Sequence, residues 1–322
     1  FEITTLRKDV STDGRHANIS FTSSWKDDAL RRDFTINAIY SDIEGRIFDP
    51  FGGISDLQKG KIQFIGSAEE RIQEDYLRIL RYFRFFLNYS RAEHDQKVIS
   101  AIKSNIDGLN KISNERMFDE LKKILRLQNI KSLFLDISSK EVILSIFPQF
   151  KFYERLKKID VLKSTWSEDY DHELILALLI LDQSNNYEYF CHKFKTSNAT
   201  KSRFENISNN FENLKKKSFY SEKNIKKLIY SSNKSYVKDL LLFSVCINNK
   251  VKTIDIEKLI DYVHSCKIPK FPISGNLLKE HGYKTGKDLG KRLKQLEEEW
   301  VENNFILDKK LEEKYLRNTY KN

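Results

Sequence analysis

The chain has 322 residues and a formal net charge of +10, with 40% apolar residues, four prolines and eleven glycines. The apolar fraction allows sizeable cores. So few prolines and glycines exclude a sandwich or barrel with many tight turns, and helix is expected to dominate. No apolar run reaches the 18 residues of a membrane span. The longest run, LILALLIL at 174–181, fits a buried helix.

The cysteines and the charge narrow the class of protein further. Cys191, Cys246 and Cys266 are scattered and form no CxxC pair, so neither a zinc site nor a disulfide framework is indicated. The scattered cysteines indicate a protein of a reducing compartment. A pI near 9.2 favours a polyanionic partner, because cationic side chains neutralise phosphates and release counterions. A lysine-rich surface alone gives the same charge, so this favours nucleic acid only slightly.

Short β-like segments dominate the first 66 residues. FEITTLR alternates apolar and polar side chains and predicts a strand, and the polar STDGRHA predicts a loop. DDALRRDFTINAIYSD starts as a helical turn and then alternates over 34–38, which predicts a second strand. Gly45 separates two further strand-like segments, Gly52-Gly53 predicts a turn, and KIQFIG is the last β-like piece.

From Ala68 onward the pattern is helical almost to the end. ERMFDELKKIL and DLGKRLKQLEEEW are amphipathic at helical spacing. Polar breaks at 183–186 and 231–235 predict loops between helices. The predicted fold class is therefore mainly α, with a short α/β piece followed by a long all-α region.

The segment RIQEDYLRILRYFRFFL, residues 71–87, combines acidic, basic and aromatic side chains. On a single helix at about 100° per residue, it has one apolar face and one face where a carboxylate and two guanidiniums project away from the core. The apolar face consists of Tyr76, Leu80, Phe83 and Leu87. The opposite face consists of Arg71, Asp75, Arg78 and Tyr82.

The pair of Asp75 and Arg78 has two interpretations. An ordinary surface ion pair at this spacing stabilises a helix by a few tenths of a kcal/mol. Alternatively, the pair selects bases. Cytosine and adenine present an amino donor beside a ring-nitrogen acceptor, which match a carboxylate and a guanidinium. Uracil and guanine present the reverse order, and each group left unpaired in a buried site costs about 1–3 kcal/mol. The spacing alone leaves both interpretations open.

Four motifs carry a resemblance to a known family. RRDFTINAIYSD, DPFGGISDL, EDYLRILRYFRF and SNERMFDELKKIL stand in the order and spacing of class II tRNA nucleotidyltransferases, the CCA-adding enzymes, to which bacterial poly(A) polymerases are closely related. The match covers 1–125, and both ends resemble the mitochondrial and alphaproteobacterial branch. It implies the C-terminal part of a nucleotidyltransferase α/β head at 1–66, a helical neck at 67–125, a helical body at 126–250 and a helical tail at 251–322.

The resemblance also implies roles for individual residues. The RRD motif contacts the incoming nucleotide, the EDxxR pair selects CTP and ATP, and later arginines approach the triphosphate. Glu115 and Arg116 match a motif that braces the base-selecting helix, although a simple ion pair at a helix start explains them equally well. The implied nucleotide-binding residues are Arg31, Arg32, Asp33, Asn37, Asp75, Arg78, Arg81 and Arg84. The implied flexible loop, which helps the enzyme switch from adding C to adding A, contains Asp13, Gly14 and Arg15.

The tail contains two predicted helix starts with small residues. Free N–H groups at a helix N-terminus bind phosphate, glycine permits close backbone approach, and lysines surround both starts. The resemblance implies that this tail binds tRNA, whereas two ordinary helix caps on a basic surface are the alternative. The predicted tRNA-binding residues are Ser274, Gly275, Thr285, Gly286 and Lys287.

The family's chemistry implies Mg²⁺, which favours carboxylate oxygens. The family supplies them from a DxD motif that follows a GGxVRD loop, and neither motif occurs here in a position that could serve. Glu2 is the one predicted catalytic and metal-binding residue. We therefore expect a truncated sequence or a separate chain that supplies the missing head segment, and little activity from these residues alone.

Several functions stay open at this point. The leading hypothesis is a CCA-adding enzyme, because the C-terminal tail resembles that of the CCA-adding enzymes. Its expected partners are tRNA, CTP and ATP, and no membrane. The alternatives are a poly(A) polymerase, a specialist that adds only A or only CC, and a non-catalytic remnant that binds tRNA. A bacterial cytoplasm is the expected location, with the mitochondrial matrix as the alternative.

Overall fold

The computed structural model describes residues 4–12, 17–165 and 171–309, together with Glu313. As predicted, the chain is mainly helical. It forms two compact units, Phe1–Glu205 and Asn206–Asn322. The predicted division into head, neck, body and tail stays a prediction. Among the described helices, none is long and apolar enough to cross a membrane.

Two antiparallel hairpins form the sheets described in the first unit. Strand β1 (Arg7–Thr12) pairs with β2 (Ala17–Phe21), and β3 (Tyr40–Ser41) pairs with β4 (Ile47–Phe48). The second hairpin turns at Gly45, whose φ of 81° favours glycine. This hairpin confirms the two predicted strand-like segments around Gly45.

The first predicted strand and loop are misplaced along the chain. Residues 4–6 of FEITTLR are not in a strand, and β1 begins only at Arg7. Ser11 and Thr12, predicted in a loop, belong to β1. A two-residue period predicts an extended backbone but does not determine where cross-strand pairing begins, because that depends on the partner strand.

The predicted strand over 34–38 is wrong. The structure has a 3-10 helix, Thr35–Asn37, and only a single bridge between Phe34 and Phe64. The Thr35 hydroxyl donates to the Asp56 carboxylate at 2.7 Å. A Cβ on Gly53 would lie 2.2 Å from the carbonyl oxygen of Thr35, so only glycine allows this close approach.

Among its described residues, the first unit contains eleven complete α-helices, and capping side chains or glycines stand at several of their ends. For example, the Asp49 carboxylate accepts hydrogen bonds from the first two N–H groups of α2, at 2.8 and 2.9 Å. The helices of this unit are α1 (Trp25–Leu30), α2 (Gly53–Lys59), α3 (Ala68–Glu74), α4 (Arg78–Tyr89), α5 (Gln96–Asn105), α6 (Asn114–Leu125), α7 (Ser132–Leu135), α8 (Ile137–Ile146), α9 (Ile159–Thr165), α10 (His172–Ile180) and α11 (Asn186–Phe194).

EDYLRILRYFRFF does not form the single helix that its spacing predicts. Asp75 is extended, with φ of −153° and ψ of 102°, so the chain breaks between α3 and α4. The Tyr82 side chain, predicted to face outward, is buried. Its hydroxyl lies 2.9 Å from His94 Nδ1, and its ring is nearly parallel to the Phe64 ring, with 6.0 Å between the ring centres. Tertiary packing of an amphipathic tyrosine therefore overrides the helical period.

Apolar packing around α4, α6 and α10 forms the core of the first unit. Ile79, Leu80 and Phe83 of α4 are fully buried, and α4 packs against α6 and α7. As predicted, the apolar run 174–181 is buried, and nearly all of it lies in α10, which contacts α6. This core fixes the position of α4, and hence of the arginines that α4 carries.

The second unit is helical in its described part and starts within α12. Buried side chains of α14 pack against α13 and α15, and a separate cluster around Leu278 and Leu296 joins α16 to α17. The two predicted amphipathic segments are confirmed as α6 and α17. The remaining helices are α12 (Asn198–Asn210), α13 (Glu222–Ser231), α14 (Lys234–Ile247), α15 (Thr253–Ser265), α16 (Gly275–Glu280) and α17 (Lys287–Glu302).

Candidate functional site

Asp28 organises the two arginines of the RRD motif. Its side chain is 1% exposed, and it forms ion pairs with Arg31 and Arg32. It also accepts hydrogen bonds from the Tyr40 hydroxyl at 2.8 Å and from the backbone N–H of Arg7 at 3.2 Å. Four donors around one buried carboxylate fix both guanidiniums, so they are not a loose surface patch.

The same contacts set the ionisation of Asp28. Burial raises the pKa of this carboxyl, but the hydrogen bonds from Arg31, Tyr40, Arg7 and Arg32 outweigh burial and lower it from 3.8 to about 2. Because the pKa is lower in the folded chain than in the unfolded chain, the ionised carboxylate stabilises the fold at pH values above 3.8. This stabilisation is lost as the pH falls from 3.8 towards 2.

We therefore expect Asp28→Asn to reduce the free energy of unfolding by about 2 kcal/mol near neutral pH. Urea unfolding of the variant and the parent protein should converge as the pH falls below 4, because protonation removes the same charge. Asp119→Asn, which changes an exposed carboxylate paired with Lys122, is the matched control. An Asp28→Asn effect that persists unchanged at low pH would contradict the assignment.

Asp33 connects the RRD motif to α4. One carboxylate oxygen accepts from the Asn37 amide at 2.8 Å and from the backbone N–H of Phe34 at 3.0 Å. The other accepts from Arg81 Nε at 2.6 Å. Asp33 is 5% exposed, whereas the Arg81 side chain is 31% exposed. Three predicted nucleotide-binding residues, Asp33, Asn37 and Arg81, are thus brought together.

Two further arginines hold the backbone of the RRD segment. Arg71 donates to the carbonyl oxygens of Leu30 and, at 2.9 Å, Arg32. Arg78 donates to the carbonyl oxygen of Arg31 at 3.3 Å. Both guanidiniums also pair with Glu74. Two residues of the predicted outward face, Arg71 and Arg78, therefore bind the backbone of the RRD segment.

Asp75 and Arg78 lie next to each other but have different side-chain partners. One Asp75 oxygen accepts from Arg116 Nη2 at 2.8 Å, and the other accepts from the backbone N–H of Leu77 at 3.1 Å. The Asp75 side chain is 23% exposed. The contact places Arg116 against the segment that the resemblance implies it braces, whereas Glu115 pairs with Lys195.

Arg84 belongs to a different cluster. Its guanidinium pairs with Glu120, which is 2% exposed, and lies 4.3 Å from the centre of the Phe85 ring. The pair links α4 to α6. A direct contact between Arg84 and a triphosphate stays a prediction.

Comparison with known proteins decides the family. Residues 1–63 match the family model for the "Poly A polymerase head domain", 94–153 match "Probable RNA and SrmB- binding site of polymerase A", and 168–311 match "tRNA nucleotidyltransferase domain 2 putative". The mitochondrial CCA tRNA nucleotidyltransferase 1 of Mus musculus is 33% identical over 340 residues, covering 99% of this chain and 73% of the relative. The chain belongs to the CCA-adding tRNA nucleotidyltransferases.

Two solved CCA-adding enzymes share the fold of this chain. The Bacillus stearothermophilus CCA-adding enzyme in complex with CTP has a TM-score of 0.68 at 21% identity, covering 93% of this chain and 74% of that one. The Thermotoga maritima CCA-adding enzyme complexed with tRNA has a TM-score of 0.61 at 20% identity, covering 91% and 74%. The predicted family, fold class and enzyme class are confirmed, and they favour the CCA-adding hypothesis over a poly(A) polymerase.

Membership of the CCA-adding family implies a divalent metal ion. The described residues of this chain contain no group of three His, Cys, Asp or Glu side chains that could bind one. Asp28, Asp33 and Asp75 are each paired with arginine. These carboxylates do not fit a metal site, so we assign no metal-dependent step to them. Glu2 lies outside the described residues, as do Asp13, Gly14 and Arg15.

The predicted tRNA-binding residues lie at the starts of α16 and α17. The Ser274 hydroxyl caps α16 by accepting from the Leu277 N–H at 3.2 Å, as predicted. The second helix begins after Gly286, whose φ of 153° favours glycine, and not at Thr285. A Cβ on Gly275 would meet only ordinary contact, 3.8 Å from Leu289, so no close approach requires glycine there. Lys287 is exposed. Their role with tRNA stays a prediction.

Sequence reasoning missed three acidic residues of this CCA-adding family member. Asp28 stands three and four residues before the RRD arginines, and Glu74 stands four before Arg78. These ion-pair spacings on a helix could have identified both. Glu120 is 36 residues from Arg84, and no local signal points to that pair.

Proposed function

We propose that this chain acts in the addition of C, C and A to the 3′ end of tRNA from CTP and ATP, with Asp75 and Arg78 selecting the base. The observation that carries the proposal is the fixed Asp75 carboxylate just before α4, whose first residue, Arg78, donates its backbone N–H to the Asp75 carbonyl oxygen at 2.9 Å. Arg116 and the Leu77 N–H hold that carboxylate from one side. Since a carboxylate has about four acceptor sites, it can still accept from the amino group of a base.

Arg78 supports the complementary half of this recognition. Its guanidinium has five N–H donors, and the contacts to Arg71, Glu74 and Arg31 use three of them. The remaining donors can meet the ring nitrogen of cytosine or adenine. Uracil and guanine would place a carbonyl against the carboxylate and an N–H against the guanidinium.

The RRD segment supports binding of the rest of the nucleotide. The side chains of Arg32 and Arg81 are 37% and 31% exposed, so both can reach an anion while their carboxylate partners fix their positions. We assign them to the nucleotide together with Arg31, Asp33 and Asn37. The flexible-loop role of 13–15 belongs to the same proposal.

Further parts of the proposal concern the ion, the tail and the location. Mg²⁺ is the proposed divalent ion, because hard oxygen atoms of phosphates bind it well. Ser274, Gly275, Thr285, Gly286 and Lys287 are proposed to contact tRNA. The related Thermotoga maritima enzyme is described as complexed with tRNA. A bacterial cytoplasm is the proposed location and the mitochondrial matrix the alternative, since the relatives include both bacterial and mitochondrial enzymes.

The test is incorporation of CTP and ATP into tRNA that lacks its 3′ CCA, in the presence of Mg²⁺. This chain is compared with the same chain fused behind a segment that carries the GGxVRD and DxD motifs, and tRNA that already ends in CCA is the control. We expect the fused form to add C, C and A to the shortened tRNA. Failure of the fused form to incorporate either nucleotide, while tRNA binding is retained, would favour the non-catalytic alternative.

A further inference from the structure

The second unit contains a pocket that none of the proposed roles uses. Its volume is about 530 Å³, and it lies between residues 215–222, the loop that follows α14 and the first turns of α15. Pockets of about 300–1,000 Å³ are typical of sites for small ligands. We call it the lysine pocket. It contains neither the RRD and EDxxR residues nor the predicted tRNA-binding residues.

The inner lining of the lysine pocket is apolar. Val251, which is half-buried, and Leu259, which is 7% exposed, line the pocket, and Ile256, which is 0% exposed, borders it from the core. Tyr220 completes this surface. Its hydroxyl donates to the carbonyl oxygen of Leu214 at 2.6 Å, and burial raises its pKa, so the ring stays neutral. This lining suits a flat, weakly polar group such as a heterocyclic ring.

The rim of the lysine pocket carries more lysines than carboxylates. Lys217, Lys250 and Lys258 are exposed, and within the described residues they form no ion pair. A fourth lysine, Lys215, is paired with Glu212 at 2.7 Å. Three ammonium groups around one opening favour an anion, and a phosphate suits them because each can donate up to three hydrogen bonds.

Two carboxylates distinguish this pocket from a simple anion site. Glu222 and Asp255 line it from the first turns of α13 and α15, where the helix dipole favours negative charge. A carboxylate only accepts hydrogen bonds, so these residues favour a ligand that also carries hydroxyl or amino donors. An ionised fatty acid lacks such donors and inorganic phosphate lacks a flat apolar group, whereas a nucleotide combines a phosphate, ribose hydroxyls and a flat base.

We propose that the lysine pocket binds a nucleotide, with the phosphate at Lys217, Lys250 and Lys258, the ribose hydroxyls at the two carboxylates and the base on the apolar lining. No Asp–Arg pair lines the pocket, so the base selection argued for Asp75 and Arg78 is not part of this proposal. The nucleotide is either free or part of an RNA strand. The proposal does not depend on base selection by Asp75 and Arg78.

Uridine nucleotides test this proposal, because the Asp75–Arg78 site is expected to reject uracil. UMP and a short oligouridylate are titrated separately into the whole chain with labelled isoleucine, leucine and valine methyl groups. The Ile256 methyl signal, assigned from Ile256→Val, should shift on binding. Lys250→Glu/Lys258→Glu should weaken binding by about tenfold or more, because two attractions become repulsions.

The matched control is Lys61→Glu/Lys97→Glu, which changes the net charge equally at exposed lysines of the first unit, outside the lining. It should bind within about twofold of the parent, since exposed charges at a distance are screened. Ile256 lines the lysine pocket and Asp75 does not, so a shift of the Ile256 signal reports this pocket and not the proposed base selection.

A shift with UMP identifies a site for free nucleotides, and a shift with oligouridylate alone identifies a site for a strand; both support the proposal. If neither ligand moves the Ile256 signal, or if both charge-reversed variants lose binding equally, the proposal is overturned. Binding of an acidic peptide in place of both nucleotide ligands would overturn it as well.

Discussion

Replacing Asp75 with alanine should lower kcat/KM for both CTP and ATP by roughly 10- to 100-fold. The amino group of the base would lose its acceptor, and an unpaired donor in a buried site costs about 1–3 kcal/mol. Discrimination against UTP should fall at the same time, because the carboxylate that opposes its carbonyl group is gone. The measurement is incorporation of each of the four nucleotides into shortened tRNA by the fused, active form.

Two controls separate base recognition from loss of structure at Asp75. Arg116→Ala keeps the carboxylate but removes its brace at 2.8 Å, so we expect a smaller loss, about tenfold, with discrimination against UTP retained. Asp119→Ala removes an exposed carboxylate on α6 and should change nothing. If Asp75→Ala lowers activity but keeps full discrimination against UTP and GTP, Asp75 does not select the base.

The second large effect concerns stability. Arg84→Ala should lower the free energy of unfolding by about 3 kcal/mol, because it removes the guanidinium partner of a buried carboxylate. Glu120 is 2% exposed, and its remaining partner, Lys123, lies 3.2 Å away with a half-exposed side chain. Denaturant unfolding followed by helical circular dichroism would measure the change.

A second substitution identifies the cause of this loss. Arg84→Ala/Glu120→Gln should recover part of the stability, because the uncompensated charge is gone. Lys103→Ala, which breaks an exposed ion pair with Glu141, should cost less than about 1 kcal/mol. If Arg84→Ala is as mild as Lys103→Ala, the Arg84–Glu120 pair does not hold α4 against α6.

The mainly helical fold class, the family and most of the charged residues of the candidate site could be predicted from the sequence alone. These properties depend on local order: apolar side chains at helical spacing, a capping Ser274, and motifs such as RRD and EDxxR whose members stand close together in the chain. The family resemblance that these motifs carry implied that Arg31, Arg32 and Arg78 act at one site. The structure brings the backbone of the RRD segment against the guanidinium of Arg78.

The tertiary structure alone decided which charges pair and where the regular elements break. Asp33 and Arg81 are 48 residues apart, and Asp75 and Arg116 are 41 apart, so no periodic pattern links them. Alternation over 34–38 predicted a strand, but a close contact with Gly53 and a hydrogen bond to Asp56 favour a 3-10 turn. Local patterns set what each segment can form, whereas burial and long-range ion pairs select among those forms, because their free energy depends on groups distant in the chain.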